Sequence, residues 1–388
     1  MSRPRVLMVY LEPAPYIVGL IEAVRAIWPG PIDVLFRTGD ESQNRNVSVD
    51  AIGATLLPAG TGAAVAEVAR RLRRGHYGLV HLAGWGHPVL LAALLCAAAK
   101  KIPIVVESDT QLSPAPQLMK LKSYLSLGSL FRMTWRAGFR KILYPFLFKL
   151  PDRFLPAGTR QIAYLTKYGV DPTRIDMAKM TVDVEYIMTF CAGLSTNMRN
   201  SLLKKYEILG SQVCFLFVGR LESYKGVMDL LCAFGMLSQQ QTDVCLIVVG
   251  DGSLAPDVSV AATQLASLHY LGWLDGDALW EIYAVADAFV LPSHREPWGL
   301  VVNEAMAAGL PVVASETAGC IDDLVQPGVT GLIVPARSPE ALCTAMQEIA
   351  SDAARRARMG AAARRLIADW THADQAQITT QSWAEALS

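Results

Sequence analysis

The stretch PSHREPWGLVVNEAMAAGLPVVASETAGCIDDLVQPGVTG, residues 292–331, carries most of the information about the fold. Two glutamates, Glu296 and Glu304, lie on either side of a Pro-Trp-Gly turn. Because Pro297 and Gly299 interrupt a helix, the spacing predicts Glu296 in a loop and Glu304 in the first turns of the helix that follows. A Gly-Leu-Pro turn and an apolar strand come next, so the segment indicates a loop–helix–strand unit of an α/β fold.

The predicted start of this helix is suited to binding phosphate. A helix N-terminus offers free backbone N–H groups and the positive end of the helix dipole. One carboxylate precedes that anion site and the other lies inside the helix. The arrangement suits a ligand with a diphosphate in the middle and hydroxyl-rich groups at both ends, which is the chemistry of a sugar nucleotide.

The segment resembles the signature of the retaining GT-B glycosyltransferases, in particular glycosyltransferase family 4 (glycosyl transferases group 1). The family motif is a glutamate, seven residues and a second glutamate, and residues 296–313 follow it. Three upstream segments resemble family motifs in the family's order: 217–226, 248–252 and 270–274. The resemblance implies the GT-B fold, an α/β architecture of two Rossmann-like domains facing across a cleft.

The resemblance also implies roles for the charged residues of these motifs. Arg220 and Lys225 follow the predicted strand 214–218, where ligands bind in open α/β sheets, and would bind the donor phosphates. A guanidinium fork and an ammonium stabilise the charge that develops on a leaving diphosphate. Glu304 would hold the ribose hydroxyls with its two acceptor oxygens, and Glu296 would contact hydroxyls of the donor sugar. The alternatives are solvated loop cations and carboxylates that serve only the helix dipole.

Further donor contacts are expected from backbone N–H groups and from aromatic rings. Trp298, Gly299 and Leu300 would supply N–H groups to the sugar and the phosphates, with the Trp298 ring as an aromatic wall. Gly299 would let the backbone approach the ligand closely. Gly250 lies in a Gly-Asp-Gly turn that resembles a family motif. Trp273 is either a wall that stacks on the nucleobase or a core or rim tryptophan.

The first part of the chain departs from the family pattern. Its first loop, residues 12–19, has one glycine and two prolines, so Gly19 is either a phosphate-approach glycine or part of Pro-rich packing. Many family members have a histidine after the strand that corresponds to 104–107. Asp109 takes the place of that histidine here, with Glu107 close before it, and is predicted to act on the acceptor side.

No metal site and no cofactor are predicted. The seven cysteines show neither a Cys-x-x-Cys pair nor a Cys/His spacing typical of metal ligands. His81 and His87 flank a Gly-Trp-Gly turn and either face the cleft or are structural histidines. Since Arg220 and Lys225 can neutralise a leaving diphosphate, we expect the reaction to be metal-independent.

Apolar β-rich segments alternate with helical patterns along the chain, which is typical of parallel sheets covered on both faces. The predicted strands are 6–10, 33–36, 79–82, 104–107, 153–156, 214–218, 245–249, 288–291, 312–314 and 331–334. A mixed, polar stretch at 182–212 indicates the junction between two domains. We predict an N-terminal acceptor-side domain over 1–185 and a C-terminal nucleotide-sugar domain over 186–388. The resemblance implies that the last helix, at 375–387, crosses back to the first domain.

Composition favours a cytoplasmic protein that does not bind nucleic acid. Lys+Arg and Asp+Glu both number 35, so no net charge attracts a polyanion. The longest uncharged apolar run, 88–99, is too short to span a bilayer, and the apolar start reads as a strand rather than a signal peptide. Cysteines within apolar runs are typical of a reducing compartment.

The segment 117–153 is strongly basic, with eight Lys/Arg against one acid. Its aromatic residues share one helical face with a stripe of arginines beside it; these are Phe131, Trp135 and Phe139 with Arg132, Arg136 and Arg140. This pattern favours peripheral contact with an anionic membrane surface, on the inner face of the cytoplasmic membrane. The alternative is an ordinary helix that packs on the first domain.

The sequence therefore predicts a retaining glycosyltransferase that transfers a hexose from a nucleoside diphosphate sugar to a hydroxyl of a glycan or lipid-linked acceptor. We expect a place in cell-surface polysaccharide or glycolipid assembly. Two alternatives stay open: a GT-B-fold sugar-nucleotide epimerase and a non-catalytic sugar-nucleotide-binding subunit.

Overall fold

A computed structural model describes residues 4–39, 49–112, 142–210 and 212–388. The chain forms two compact units. Unit 1 comprises Met1–Met180 together with His372–Ser388, and unit 2 comprises Thr181–Thr371. The sequence predicts the boundary between residues 185 and 186, with a last helix at 375–387 that crosses back from the second domain to the first.

Unit 1 is built on a parallel sheet whose strands, within the described residues, run in the order β3-β2-β1-β4-β5-β6. The strands are β1 (Val6–Tyr10), β2 (Ile32–Phe36), β3 (Thr55–Leu56), β4 (Leu79–Leu82), β5 (Ile104–Ser108) and β6 (Arg153–Pro156). From β1 the chain first adds strands on one side and then, from β4 onward, on the other. This reversal is the mark of a doubly wound, Rossmann-like sheet.

Unit 2 repeats this arrangement, with the order β12-β11-β10-β7-β8-β9. Its strands are β7 (Val213–Val218), β8 (Val244–Val249), β9 (Leu268–Tyr270), β10 (Ala288–Leu291), β11 (Val312–Ser315) and β12 (Gly331–Val334). All the neighbouring strands in the described parts of both sheets pair in parallel. Here the order reverses between β7 and β10.

Helices connect these strands. In chain order they are α1 (Pro15–Ile27), α2 (Thr61–Arg74), α3 (Pro88–Ala99), α4 (Thr159–Lys167), α5 (Val184–Gly193), α6 (Thr196–Lys205), α7 (Val227–Gln240), α8 (Ala255–Gln264), α9 (Gly276–Val285), α10 (Leu300–Ala307), α11 (Ile321–Leu324), α12 (Pro339–Ser351), α13 (Ala353–Ile367) and α14 (His372–Ala386). Residues 142–147 are also helical. Among the helices of the described residues, none is long and apolar enough to span a membrane.

Strand β1 shows why the strands are continuously apolar. Val6, Met8 and Tyr10 lie in the core formed with α1 and α14, whereas Leu7 and Val9 lie in the core formed with α2 and α3. Successive residues of a strand point to opposite faces, so a sheet covered on both faces buries every residue. The same holds in unit 2, where β7 packs against α7 and α12 on one face.

The predicted strands are confirmed, each to within one residue at either end. The sequence missed β3 and β9, which are only two and three residues long. The predicted loop 12–19 is wrong in its second half, because α1 begins at Pro15. Proline has no N–H to lose at the first position of a helix and its fixed φ suits a helix start, so it favours this beginning.

The polar stretch 182–212 contains two capped helices of unit 2. Asp183 accepts a hydrogen bond from the Tyr186 backbone N–H at the start of α5, and Ser195 accepts one from Met198 at the start of α6. Of the basic segment 117–153, residues 142–153 lie within the described part of the chain. The predicted stripe from Phe131 to Arg140 lies outside the described residues.

Candidate active site

The reversal of strand order in unit 2 marks the place where a ligand is expected. Helices that leave β7 and β10 in opposite directions open a crevice at the carboxyl ends of these two strands. The loop 219–226 follows β7 and the loop 292–299 follows β10. The motif segments 217–226 and 292–331 therefore meet at the same end of the sheet, at the carboxyl ends of its two central strands.

The two loops are joined by a buried ion pair. Lys225 Nζ lies 2.5 Å from Glu296 Oε2, and the two side chains are 15% and 9% exposed. Ser293 donates a second hydrogen bond to the same oxygen at 3.2 Å. The sequence assigned Lys225 to the phosphates and Glu296 to the sugar, and the structure brings the two residues into direct contact.

Backbone contacts hold the loops in register. The backbone N–H of His294 donates to the Tyr224 carbonyl at 2.8 Å, and His294 Nε2 lies 2.6 Å from Asp229 Oδ2. Gly226 has a φ of +70°, and a Cβ there would collide with the Pro292 carbonyl oxygen. The pair His294–Asp229 was not singled out from the sequence, although His294 lies inside the quoted stretch.

Gly299 allows the turn between Glu296 and α10. Its φ is +104°, which only glycine adopts without strain, and it is the residue just before the helix. A Cβ would lie 3.2 Å from both Glu296 Cγ and Leu291 Cδ2. Gly299 therefore lets the chain pack closely against the Glu296 side chain. Leu300, the first residue of α10, carries one of the free N–H groups of a helix N-terminus.

The prediction of Trp298 as an aromatic wall is wrong. The side chain is 2% exposed, its Nε1 donates to Asn303 Oδ1 at 3.0 Å, and its ring stacks on Trp370 with centroids 5.6 Å apart. Burial of the ring and satisfaction of its N–H inside unit 2 explain a large aromatic at this position. Its indole faces the interior and not a ligand.

Glu304 lies in the first turns of α10, as predicted. It is 5% exposed, and its Oε2 accepts a hydrogen bond from the Tyr283 hydroxyl at 2.7 Å. Tyr283 lies on α9 and is fully buried. No pattern in the sequence links Tyr283 with Glu304. The hydroxyl offsets part of the cost of burying the carboxylate and fixes its orientation.

Arg220 is exposed beside the ion pair. Its guanidinium carbon lies 5.8 Å from the centre of the Tyr224 ring, and Lys225 Nζ lies 5.8 Å from the same ring. Two cations thus approach one aromatic ring, which attracts both electrostatically. The structure places both predicted phosphate-binding cations in one loop after β7.

Gly250 serves loop packing. It has a φ of +139°, and a Cβ there would collide with the carbonyl oxygen of Gly219 in the neighbouring loop. Its N–H donates to the Gly272 carbonyl at 2.7 Å, so it also tethers the loop that carries Trp273. Trp273 is 40% exposed and is therefore a rim tryptophan with a face open to a partner.

The candidates in unit 1 are differently placed. Asp109 is exposed, and its backbone carbonyl accepts from the Gln161 side chain at 3.5 Å. Gly19 lies inside α1, where a Cβ would collide with the His372 ring of α14, so close helix packing explains this glycine. His87 accepts from the Val89 N–H at the start of α3, and burial and Arg37 lower the pKa of its imidazole.

Among the described residues, no group of three or more His, Cys, Asp or Glu side chains is arranged to hold a metal ion. The sequence contains an Asp-x-Asp triplet at Asp275–Asp277. In this structure it starts α9, and Asp277 accepts a hydrogen bond from the Tyr186 hydroxyl at 2.6 Å.

Two Rossmann-like units, each with a reversed strand order, define the GT-B fold, and the predicted fold class is confirmed. Residues 198–366 match the family "Glycosyl transferases group 1". The match supports the resemblance drawn from the sequence at the level of that group, and it falls on α6 to α13 of unit 2.

Curated relatives agree with this level. Glycogen synthase of Mycobacterium tuberculosis is 36% identical over 175 residues, which are 44% of this chain and 42% of that protein. The chain therefore spans less than half the length of this relative. A D-inositol 3-phosphate glycosyltransferase of Rhodococcus opacus is 28% identical over 345 residues, 81% of this chain and 70% of that protein.

HepE of Anabaena, crystallised with UDP, has a similar fold. It aligns with a TM-score of 0.75 at 17% identity, over 98% of this chain and 100% of HepE. HepE was also crystallised with UDP-glucose, and that structure aligns with a TM-score of 0.72.

Proposed function

We propose that this protein is a retaining glycosyltransferase that moves a hexose from a nucleoside diphosphate sugar to a hydroxyl of a glycan or lipid-linked acceptor. The observation that carries the proposal is the buried Lys225–Glu296 pair at the strand-order reversal of unit 2. A buried ion pair stabilises a fold less than well-packed apolar residues do, so a binding role accounts for it better.

Lys225 supports binding of the donor diphosphate. An ammonium group has three donors, so Lys225 can keep its bond to Glu296 and still donate to phosphate oxygens. Arg220 lies in the same loop and adds a second cation with a planar fork of donors. The charge on the diphosphate grows as the glycosidic bond breaks, so these cations stabilise the transition state more than the bound donor.

The carboxylates support binding of the hydroxyl groups. Glu296 is assigned to the donor sugar, and Glu304, whose Oε2 accepts from the Tyr283 hydroxyl, is assigned to the ribose. Neither carboxylate has the surroundings of a nucleophile: Glu296 is neutralised by Lys225, and Glu304 is bonded to Tyr283.

We therefore propose front-face displacement with retention and without a metal ion. The bond between the anomeric carbon and the diphosphate breaks, and its electron pair leaves with the diphosphate. The acceptor oxygen forms the new bond on the same face, and its proton passes to the departing phosphate oxygen.

UDP-glucose is the first donor to test, because HepE was crystallised with it. The family match is to transferases rather than epimerases, and it extends over most of unit 2. We propose a place in the assembly of cell-surface polysaccharide or glycolipid, which both types of acceptor would fit.

A thermal-shift screen against UDP-, GDP- and ADP-sugars identifies the donor. Turnover of that donor is then measured, and NMR determines which anomer of the product is formed. We expect Lys225→Met and Glu296→Gln to lower turnover about 10²- to 10³-fold. The matched control is Lys205→Met, because Lys205 pairs with Glu281 at 2.7 Å in the same unit but is 54% exposed. It should leave turnover unchanged.

Other results would point to the alternatives. Conversion of the donor to an epimer without any acceptor would identify an epimerase. A protein that binds the donor but transfers its sugar to none of the acceptors tested would be a binding subunit. Normal turnover in Lys225→Met would refute the site itself, whichever reaction the protein performs.

A further inference from the structure

The strand-order reversal of unit 1 also carries a cluster of polar side chains. The order reverses between β1 and β4, so the crevice of this sheet is expected at their carboxyl ends. Tyr10 is the last residue of β1, His81 is the third of β4, and Glu107 is the fourth of β5. Three adjacent strands thus place a phenol, an imidazole and a carboxylate side by side.

The cluster is ordered by hydrogen bonds that end on one oxygen. Glu107 Oε1 accepts from the Tyr10 hydroxyl at 3.2 Å and lies 2.9 Å from His81 Nε2. On the other side of the ring, the indole N–H of Trp383 donates to His81 Nδ1 at 2.9 Å. Among the described residues, the bonds to this carboxylate converge on Oε1.

The contact with Trp383 fixes the tautomer of His81. An indole N–H is a donor only, so Nδ1 must accept and the ring proton lies on Nε2. His81 then donates to Glu107. Burial, and then the Glu107 carboxylate, raise the pKa of Tyr10 well above its ordinary value, so its hydroxyl stays protonated and donates as well.

Exposure within the cluster is unequal. His81 and Trp383 are 0% exposed and Tyr10 is 1% exposed, whereas the Glu107 side chain is 22% exposed. The buried members hold the one member that solvent reaches. Apolar side chains of similar size would fill this space without the free-energy cost of removing polar groups from water, so packing alone does not account for the network.

We propose that Glu107 binds a hydroxyl of the sugar acceptor, with Oε1 held by Tyr10 and His81 and Oε2 accepting from the acceptor. The inference rests on the proposed function and names the acceptor contact of unit 1. It replaces Asp109, which is exposed and outside the network, as the acceptor-side carboxylate. His81 and Trp383 are positioning residues.

The test separates acceptor binding from donor binding. Saturation-transfer NMR with a panel of methyl glucosides, mannosides and galactosides, recorded with UDP present, reports on acceptor sugars. Thermal shift with the donor reports on unit 2. We expect the donor to raise the melting temperature of Glu107→Gln as much as that of the wild type. The kcat/KM for the sugar that binds should fall about 10- to 100-fold, because the hydrogen bond from the sugar hydroxyl loses its charged acceptor. Glu67→Gln is the matched control and should stay near wild type, because Glu67 is a 17% exposed carboxylate of the same unit that pairs with Arg70 and Arg71 on α2.

Equal kcat/KM in Glu107→Gln and wild type would overturn the inference, and so would the absence of saturation transfer from the wild-type protein to any sugar in the panel. Neither result touches donor binding, so the proposed function would stand. If the donor did not raise the melting temperature of the wild type, the proposed function would be contradicted instead.

A second pair of variants tests the positioning role. His81→Gln can present an N–H near the place of Nε2, whereas the side chain of His81→Asn is too short to reach Glu107. We expect the glutamine variant to recover most of the acceptor kcat/KM that the asparagine variant loses, at equal donor KM. Equal loss in both variants, together with equal loss of thermal stability, would show that His81 only fills the core.

Discussion

The Lys225–Glu296 pair allows stability and activity to be separated. Lys225→Met leaves the Glu296 carboxylate buried without its cation, and Glu296 is only 7% exposed. Removing one member of a buried ion pair destabilises by about 3–5 kcal/mol. Because the Lys225 side chain is 15% exposed and Ser293 still donates to Glu296, we expect the lower end, roughly 3 kcal/mol.

The double variant removes both charges. Lys225→Met combined with Glu296→Gln leaves no buried charge at this position, so most of the lost stability should return. The two substitutions should therefore show a coupling energy of roughly 2 kcal/mol or more. Donor turnover should stay as low as in the single variants, because the cation and the carboxylate are both needed by the ligand.

Amide hydrogen exchange, followed by mass spectrometry, measures the stability of the two loops directly. The informative peptides cover residues 219–229 and 292–303. In Lys225→Met their exchange should be about 10²-fold faster, which corresponds to roughly 3 kcal/mol. In the double variant it should return close to wild type, and Lys205→Met should leave it unchanged. Unchanged protection in Lys225→Met, or a double variant as unprotected as the single one, would refute the reasoning.

Two further predictions concern stability. Gly299→Ala should destabilise the protein by roughly 1–3 kcal/mol and weaken donor binding. The control Gly235→Ala, inside α7 with open space around it, should be neutral or stabilising. Thermal unfolding with and without donor compares the two variants. Asp33→Asn should cost roughly 1–2 kcal/mol at pH 7. Burial alone would raise the pKa of Asp33, but hydrogen bonds from Arg5 and Tyr77 outweigh it and lower the pKa below 3.8. The wild-type advantage in urea unfolding should therefore shrink as the pH falls below 3.8.

The sequence predicted the parts of the fold that depend on local pattern. Strands such as 6–10 and 288–291 are buried on both faces, so an apolar run between turn residues identifies them. β3 has only two residues, both exposed, and carries no such run. The two prolines at positions 13 and 15 predict a loop over 12–19, whereas Pro15 occupies the first position of α1, which proline favours.

The sequence predicted the local backbone structure around the two glutamates. Glu296, Gly299 and Glu304 lie within nine consecutive residues, and the turn between them follows from Pro297 and Gly299. The interior position of Trp298 could not be predicted, because it depends on Trp370, which is far away in the chain. A tryptophan beside a ligand and a tryptophan in a core have the same local pattern.

The network around Glu107 was beyond sequence reasoning for the same reason. His81 and Trp383 are 302 positions apart, and they meet because α14 packs in the core of unit 1. The sequence pointed to Asp109 because it occupies the place of the family histidine. In the structure Glu107, two positions earlier on β5, forms hydrogen bonds with Tyr10 and His81.

The strand-order reversals explain where the polar groups lie. Parallel strands buried on both faces are apolar along most of their length, and a charge among them costs free energy. In each unit a set of buried or partly buried polar side chains nevertheless lies at or just beyond the carboxyl ends of the strands beside the reversal. These are Lys225 and Glu296 in unit 2 and Tyr10, His81 and Glu107 in unit 1. Stability alone does not account for either group. The proposed ligands would account for both, because a charge that is held in place before binding contributes to the affinity and specificity of a ligand in the crevice.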